Sequence, residues 1–129
     1  MKKIKKLISI LISTLLFTSC ASKNTNRSYR QVTPDEAASI MKTEENYIIL
    51  DVRRADEFAE GHIPGAINVA NEDIGEEEIP ELPDKAQLIL VYCRSGRRSK
   101  EAAEKLVKLG YTNIVEFGGI LDWKGEIEK

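Results

Sequence analysis

The sequence predicts an α/β fold in which helices cover both faces of a parallel sheet, and three observations carry that expectation. Tyr47-Ile48-Ile49-Leu50-Asp51-Val52 and Leu88-Ile89-Leu90-Val91-Tyr92 are short continuous apolar runs, the pattern of strands buried on both faces. Helical segments stand between the strands, so consecutive strands are joined by crossovers rather than hairpins. The chain has 129 residues, 42% hydrophobic and 31% charged, which suits one globular domain with its own core and excludes a disordered segment.

The N-terminus is built differently. Met1-Lys2-Lys3-Ile4-Lys5-Lys6 carries four lysines, Leu7 to Phe17 is almost unbroken apolar sequence, and Thr18-Ser19-Cys20 closes it. This is the composition of a secretion signal. As a helix the apolar stretch would rise only about 16 Å, roughly half of the ~30 Å hydrocarbon core, so a cleaved signal fits better than a permanent span. Small residues followed by cysteine resemble the lipobox of bacterial lipoproteins, in which the cysteine is acylated and becomes the new N-terminus. Phe17 stands where that pattern has Leu, with Leu16 one position earlier. Residues 1–19 therefore read as a lipoprotein-type signal, with an ordinary cleaved secretory signal and an uncleaved anchor as the alternatives. Residues 20–28 read as the lipidated Cys20 and a polar tether, and 29–129 as the folded domain. The expected location is the cell envelope, membrane-anchored on the periplasmic or extracytoplasmic face.

Along the domain, Thr33-Pro34-Asp35-Glu36 is a helix start: Thr as N-cap, Pro at the first helical position and Glu three residues after the cap. The helix it opens runs through Ala37, Ala38, Ile40 and Met41 to about Lys42. Gly61-His62-Ile63-Pro64-Gly65 reads as a turn and Ala66 to Val69 as a short strand. Glu72, Asp73, Glu76, Glu77, Glu78 and Glu81 make a solvated acidic surface segment, with docking of a basic partner as the alternative. After the strand that ends at Cys93, a helix places Ala102, Ala103, Leu106 and Val107 on one stripe and stops at Gly110. Asn113 to Phe117 is the last strand, Gly118-Gly119 a turn, and Ile120 to Lys124 a short helical end anchored by Trp123.

Composition removes several classes. The formal net charge is −2, and removal of residues 1–19 leaves 15 basic against 21 acidic residues, a mature charge of −6. A nucleic-acid binder that works by broad phosphate neutralisation is excluded. One histidine and two cysteines, at positions 62, 20 and 93, lack the spacing of a zinc site, so no metal is expected. Lipidation of Cys20 would leave Cys93 without a disulfide partner, and a lone thiol in an exported chain points to chemistry.

Cys93-Arg94-Ser95-Gly96-Arg97-Arg98-Ser99 lies between a buried strand and an amphipathic helix. A tight loop there aims successive backbone N–H groups at its centre and sits at the positive end of the helix dipole, so it is an anion cradle. A cysteine at its base is expected to react as the thiolate, because helix N-termini and neighbouring arginines stabilise anionic sulfur. Arg94, Arg97 and Arg98 add fixed positive charge, and Gly96 permits a backbone that a Cβ would hinder. Nucleophile and anion site coincide.

Taken in order, Leu50-Asp51-Val52-Arg53, Glu57-Phe58, Gly61-His62-Ile63-Pro64-Gly65-Ala66-Ile67-Asn68, the Cys93 to Ser99 loop, and Gly118-Gly119 with Trp123 resemble the rhodanese-like, or thiosulfate sulfurtransferase, domain family. The resemblance spans about residues 29–126. It implies a central parallel five-stranded sheet and a persulfide carried on Cys93. By that resemblance, Cys93 attacks the outer sulfur of thiosulfate, expels sulfite, and passes the sulfur to a thiophilic acceptor such as cyanide or a thiol. Arg94 and Arg98 are the expected holders of the anions, Ser95, Gly96 and Ser99 complete the substrate-binding loop, and Arg97 is equally suited to steering substrates from outside. No cofactor is implied. With its signal, the chain resembles the single-domain rhodaneses of the bacterial envelope.

Asp51, His62 and Trp123 are expected to be structural. Asp51 ends an apolar strand, where an unpaired carboxylate is costly, so pairing with an arginine or a backbone N–H is expected. His62 lies in the turn before Pro64, and Trp123 is core or pocket lining. Two rival functions stand beside sulfur transfer. One is an oxyanion phosphatase or arsenate reductase on the same fold, whose dual-specificity members enclose five residues between cysteine and arginine where Cys93 and Arg98 enclose four. The other is a non-catalytic rhodanese-like binding module.

Overall fold

The structure, a computed structural model, describes residues 28–129. The expected signal, the lipidation site Cys20 and the tether up to Arg27 lie outside the described residues.

Five strands form one sheet in the order β1-β5-β4-β2-β3, and every neighbouring pair is parallel. They are β1 (Arg30–Gln31), β2 (Tyr47–Asp51), β3 (Ile67–Asn68), β4 (Leu88–Cys93) and β5 (Ile114–Gly119). Strand β4 is the middle of the five, paired with β2 from Tyr47↔Leu88 to Asp51↔Tyr92. The continuous apolar runs are thus the two adjacent strands that carry the core, as expected of strands covered on both faces.

Alternate residues of these runs supply the two faces. Leu50, Val52, Ile89 and Val91 pack with Ala102, Ala103 and Leu106 of α3 (Arg97–Lys108). Ile49, Leu90, Tyr92, Val115 and Phe117 pack on the other side with Ala37 of α1 (Pro34–Thr43), with Ile40, Met41 and Trp123 at the margin. Burying each large apolar side chain contributes ~1.5–3 kcal/mol. The start of α1 is as read: Glu36 N–H donates to Thr33 Oγ1 at 3.1 Å and Thr33 N–H to Glu36 Oε1 at 2.8 Å.

Three features differ from the sequence reading. Strand β1 is only two residues long, too short to leave a pattern. A six-residue helix, α2 (Ala55–Glu60), follows β2 and buries none of its residues, so it has no apolar stripe. Finally, Gly118-Gly119 is the end of β5 and not a turn, because Gly119 is still paired with Cys93. The acidic segment is solvated as read, with Glu72, Asp73, Glu76, Glu77, Glu78 and Glu81 exposed, and after a 3-10 turn at Asn71–Asp73 its apolar residues Ile74, Ile79 and Leu82 insert into the α3-side core.

Asp51 has no exposed surface and forms a buried ion pair with Arg53, Arg53 Nη2 to Oδ2 at 2.7 Å and Nε to Oδ1 at 3.0 Å. The Arg53 backbone N–H also donates to Oδ1 at 2.9 Å, and Nη2 reaches the Gly61 carbonyl at 2.7 Å. Arginine and backbone N–H both serve, as the sequence suggested. The pair ties the end of β2 to the Gly61 turn, and removing one partner strands a buried charge. Asp51→Ala is therefore expected to lower unfolding free energy by about 3–5 kcal/mol, measured by urea titration at neutral pH.

Candidate active site

Cys93 ends the central strand and is 1% exposed. The register between β4 and β5 slips between Val91 and Cys93: two steps on β4 span three on β5, from Glu116 to Gly119, which sets Cys93 opposite Gly119. The chain then turns through Arg94 and Ser95 to Gly96, the N-cap of α3, whose φ of 120° lies in the region that favours glycine. Gly96 N–H donates to Cys93 Sγ at 3.0 Å. Arg97, Arg98 and Ser99 form the first turn of α3, so the connecting loop is shorter than the seven-residue segment read from sequence.

This loop rests on β5. A Cβ on Gly119 would collide with the Arg94 carbonyl and the Ser95 nitrogen. Its φ of −139° is open to any residue, so glycine is required by space rather than by backbone conformation. Leu121 N–H donates to the same Arg94 carbonyl at 3.2 Å, a second tie between the loop and the segment that follows β5.

The arginines have separate fates. Arg98 makes a two-pronged contact with Glu57, Nη1–Oε1 at 2.7 Å and Nη2–Oε2 at 3.1 Å. That contact, with help from the Arg54 backbone N–H and the charge of Arg54, holds the Glu57 carboxyl down at about 2 against burial, and Glu57 in turn raises Arg98. Arg97 pairs with Glu101 at 3.0 Å on the helix surface. Arg94 has no ion-pair partner among the described residues. Arg94, Ser95, Arg97 and Arg98 line an open cavity of ≈ 340 Å³ together with Arg54 and Glu72. The cavity thus gathers four arginines, three of them on the loop and first helical turn that follow the buried Cys93.

Ser99 is buried beneath the loop rather than at its mouth. Its Oγ lies 3.4 Å from Cys93 Sγ and donates to Glu116 Oε2 at 2.5 Å. His62 is remote in its contacts: its ring stacks on Phe58 at 3.9 Å, Nδ1 donates to the Phe58 carbonyl at 3.1 Å, and its backbone bridges Glu128. Trp123 packs on Phe117 in the α1-side core, and its Nε1 donates to the Glu126 carbonyl at 3.0 Å. Asp51, His62 and Trp123 all make structural contacts.

Sequence reasoning gave no site role to Arg54 or Glu116, read Glu72 only as part of the acidic surface, and noted Glu57 only within a family motif. Glu116 left a readable signal, a lone charge inside the apolar run Ile114-Val115-Glu116-Phe117. The pairing of Glu57 with Arg98 left none, since the two are 41 residues apart.

The Rhodanese-like domain model matches residues 33–126. The chain belongs to the rhodanese-like domain family. It is 37% identical over 73 residues to the thiosulfate sulfurtransferase PspE of Escherichia coli, covering 57% of this chain and 70% of that protein. It is 33% identical over 97 residues to the thiosulfate sulfurtransferase GlpE of Coxiella burnetii, covering 74% and 88%. Among solved structures, a rhodanese with anions from E. coli superposes with a TM-score of 0.59 at 34% identity, over 64% of this chain and 98% of that one. A rhodanese-like domain protein from Staphylococcus aureus gives 0.64 at 28% identity, over 77% and 96%. Rhodanese membership and the five-stranded α/β architecture therefore agree.

The Glu57–Arg98 contact carries a pH signature. A carboxyl depressed from 4.5 to about 2 in the folded state stabilises the fold above its unfolded value, and that contribution is lost as pH falls through the folded one. Glu57→Gln is expected to melt below wild type at pH 7, with the gap closing between pH 4.5 and about 2. Thermal melts of both proteins across that range measure it; a gap independent of pH would contradict the assignment.

Proposed function

We propose that this rhodanese-like protein is a sulfurtransferase that carries a sulfane sulfur as a persulfide on Cys93. The observation that carries the reading is the Gly96 N–H held on Cys93 Sγ at 3.0 Å, in a loop whose Arg94 and Ser95 line an arginine-rich cavity. A backbone donor fixed on the sulfur at a helix N-terminus is in place before reaction begins, ready to hold the negative charge that the reacting sulfur carries. The thiolate attacks the outer sulfur of thiosulfate, the donor S–S bond breaks with its electron pair leaving on sulfite, and the terminal sulfur stays on Cys93. A thiophilic acceptor, cyanide or a thiol, then attacks that terminal sulfur and returns the electron pair to Cys93.

Arg94 is the guanidinium best placed to hold the dianionic donor, because Arg97 and Arg98 already have carboxylate partners. Arg98 then acts chiefly by fixing the first turn of α3 against α2 through Glu57. The same pairing weighs against the phosphatase rival, whose loop arginine has to clasp the substrate. The presence of anions in the E. coli rhodanese structure accords with an anion site in this family.

The purified protein is expected to gain one sulfur in mass on thiosulfate treatment and to release sulfite in the presence of cyanide. Cys93→Ser should remain folded by circular dichroism and lose both, since a hydroxyl forms no persulfide. Arg94→Ala should keep turnover and raise the KM for thiosulfate on the order of tenfold, the loss of a charge-assisted contact. Hydrolysis of aryl phosphates without any sulfite release would establish the phosphatase rival instead, and neither activity the binding module.

The location is proposed from the sequence alone: an envelope protein tethered through acyl chains on Cys20. Fractionation of wild type and Cys20→Ala tests it. The variant should leave the membrane fraction; identical partition would refute the lipid anchor.

A further inference from the structure

One buried charge near Cys93 has no use in the reaction as written. Glu116 sits in the middle of β5, 2% exposed, and no Lys or Arg among the described residues lies within ion-pair distance of it. Its donors are neutral: Ser99 Oγ at 2.5 Å, Gly118 N–H at 2.8 Å and Gln31 Nε2 at 3.3 Å. A buried carboxylate without a cation is costly, and a structural strand position could have been filled by an apolar residue.

Its geometry toward the thiol is specific. The Ser99 hydroxyl has one proton, and the Gly96 and Gly118 carbonyls also lie within reach at 3.0 and 3.3 Å. The carboxylate is both nearer and the stronger acceptor, so the hydroxyl proton points to Glu116. The free lone pairs of Oγ then face the Cys93 thiol, which donates at 3.4 Å. Sulfur, hydroxyl and carboxylate form one chain with each side chain withdrawn from water. Other charges near it are Arg98 on α3, which interacts with Cys93 and is itself neutralised by Glu57, and Tyr29 ahead of β1, whose hydroxyl is raised by burial, then by Glu104 and Glu116.

We propose that Glu116 is a positioning residue that acts through Ser99 to share a single proton with Cys93. This rests on the sulfur-transfer reading. In the first half-reaction the Cys93 S–H bond breaks, its proton passes to Ser99 Oγ, and the Ser99 proton passes to Glu116 Oε2. The sulfur electron pair so freed bonds to the outer sulfur of the donor, and sulfite leaves with the pair of the broken S–S bond. After the acceptor has taken the terminal sulfur, the pair returns to Cys93 and the protons run back along the same two hydrogen bonds. No electron is gained or lost by the protein. Thiol with carboxylate, thiolate with carboxylic acid, and persulfide anion with carboxylic acid each carry one negative charge, so the nucleophile forms without adding charge beside a dianionic donor.

The test uses the full chain with Cys20→Ala, which leaves Cys93 as the sole thiol. Ultraviolet thiolate absorbance is titrated against pH with Cys93→Ser as the blank. Glu116→Gln keeps an acceptor for Ser99 but removes the charge, so the thiolate should form at lower pH, by about one unit or more. Ser99→Ala removes a donor to the thiolate while leaving the charge, and should move the titration the other way. Single-turnover sulfite release should follow the same two shifts. A Glu116→Gln titration that coincides with wild type, or shifts upward, overturns the proposal. Should Glu116→Gln fail to fold, Glu116→Leu removes the same charge and is held to the same downward shift. The titration needs no sulfur donor, so absence of sulfite release in the wild type would end the sulfur-transfer reading and still leave the Cys93–Glu116 coupling decided.

Discussion

Between Cys93 and Arg97 the chain reverses from the central strand into a helix while holding a backbone N–H on one sulfur, and it does so by lying directly on β5. A side chain at Gly119 would occupy the space of the Arg94 carbonyl, and the rest of the site depends on that absence. The register slip that sets Cys93 opposite Gly119, the Leu121 N–H on the Arg94 carbonyl and the Gly96 N–H on Sγ all meet at this one close approach. A loop held off β5 by even a methyl group would move its amides from the sulfur, and hydrogen bonds to sulfur weaken steeply with misalignment.

Charge in the cavity is divided by the same economy of position. The four arginines around it do not act as a common pool. Arg98 is committed to Glu57, Arg97 to Glu101 and Arg54 to Asp56. An arginine already bonded to a carboxylate must break that contact before it can clasp another anion, whereas Arg94 gives up only water. Differential availability, rather than proximity in sequence, is what separates a binding guanidinium from a scaffolding one. The Glu57–Arg98 contact is still part of the site, because it fixes the helix whose N-terminus faces Cys93.

How much could be read from the sequence follows from how local each cause is. Strands β2 and β4 are continuous apolar runs, α1 begins with a complete capping box, and α3 carries a regular apolar stripe, so all were legible. The Cys93 loop was legible because its glycine, arginines and cysteine are consecutive. Strand β1 and helix α2 were not, since two residues and six residues that bury nothing leave no periodicity. Gly118-Gly119 has the composition of a turn, and only its pairing with the Cys93 end of β4 makes it strand. The Arg98–Glu57 and Ser99–Glu116 contacts join residues 41 and 17 positions apart; their partners are chosen by the sheet order, which no local pattern encodes.

The two buried carboxylates of the domain show how the same cost is met in opposite ways. Asp51 is answered by a guanidinium at 2.7 Å, which neutralises it permanently and makes it a rivet between β2 and the Gly61 turn. Glu116 is answered by a hydroxyl and two N–H donors, which satisfy its lone pairs and leave its charge in place. A cation there would have stabilised the strand equally well, but it would also have fixed the carboxylate in its ionised form and removed it as a partner for a proton. Left with neutral donors and joined through Ser99 to a thiol, Glu116 retains a reason to exchange its charge with Cys93. Burial without a counter-ion, which is a defect in a purely structural carboxylate, is the condition that lets this one respond when the sulfur changes state.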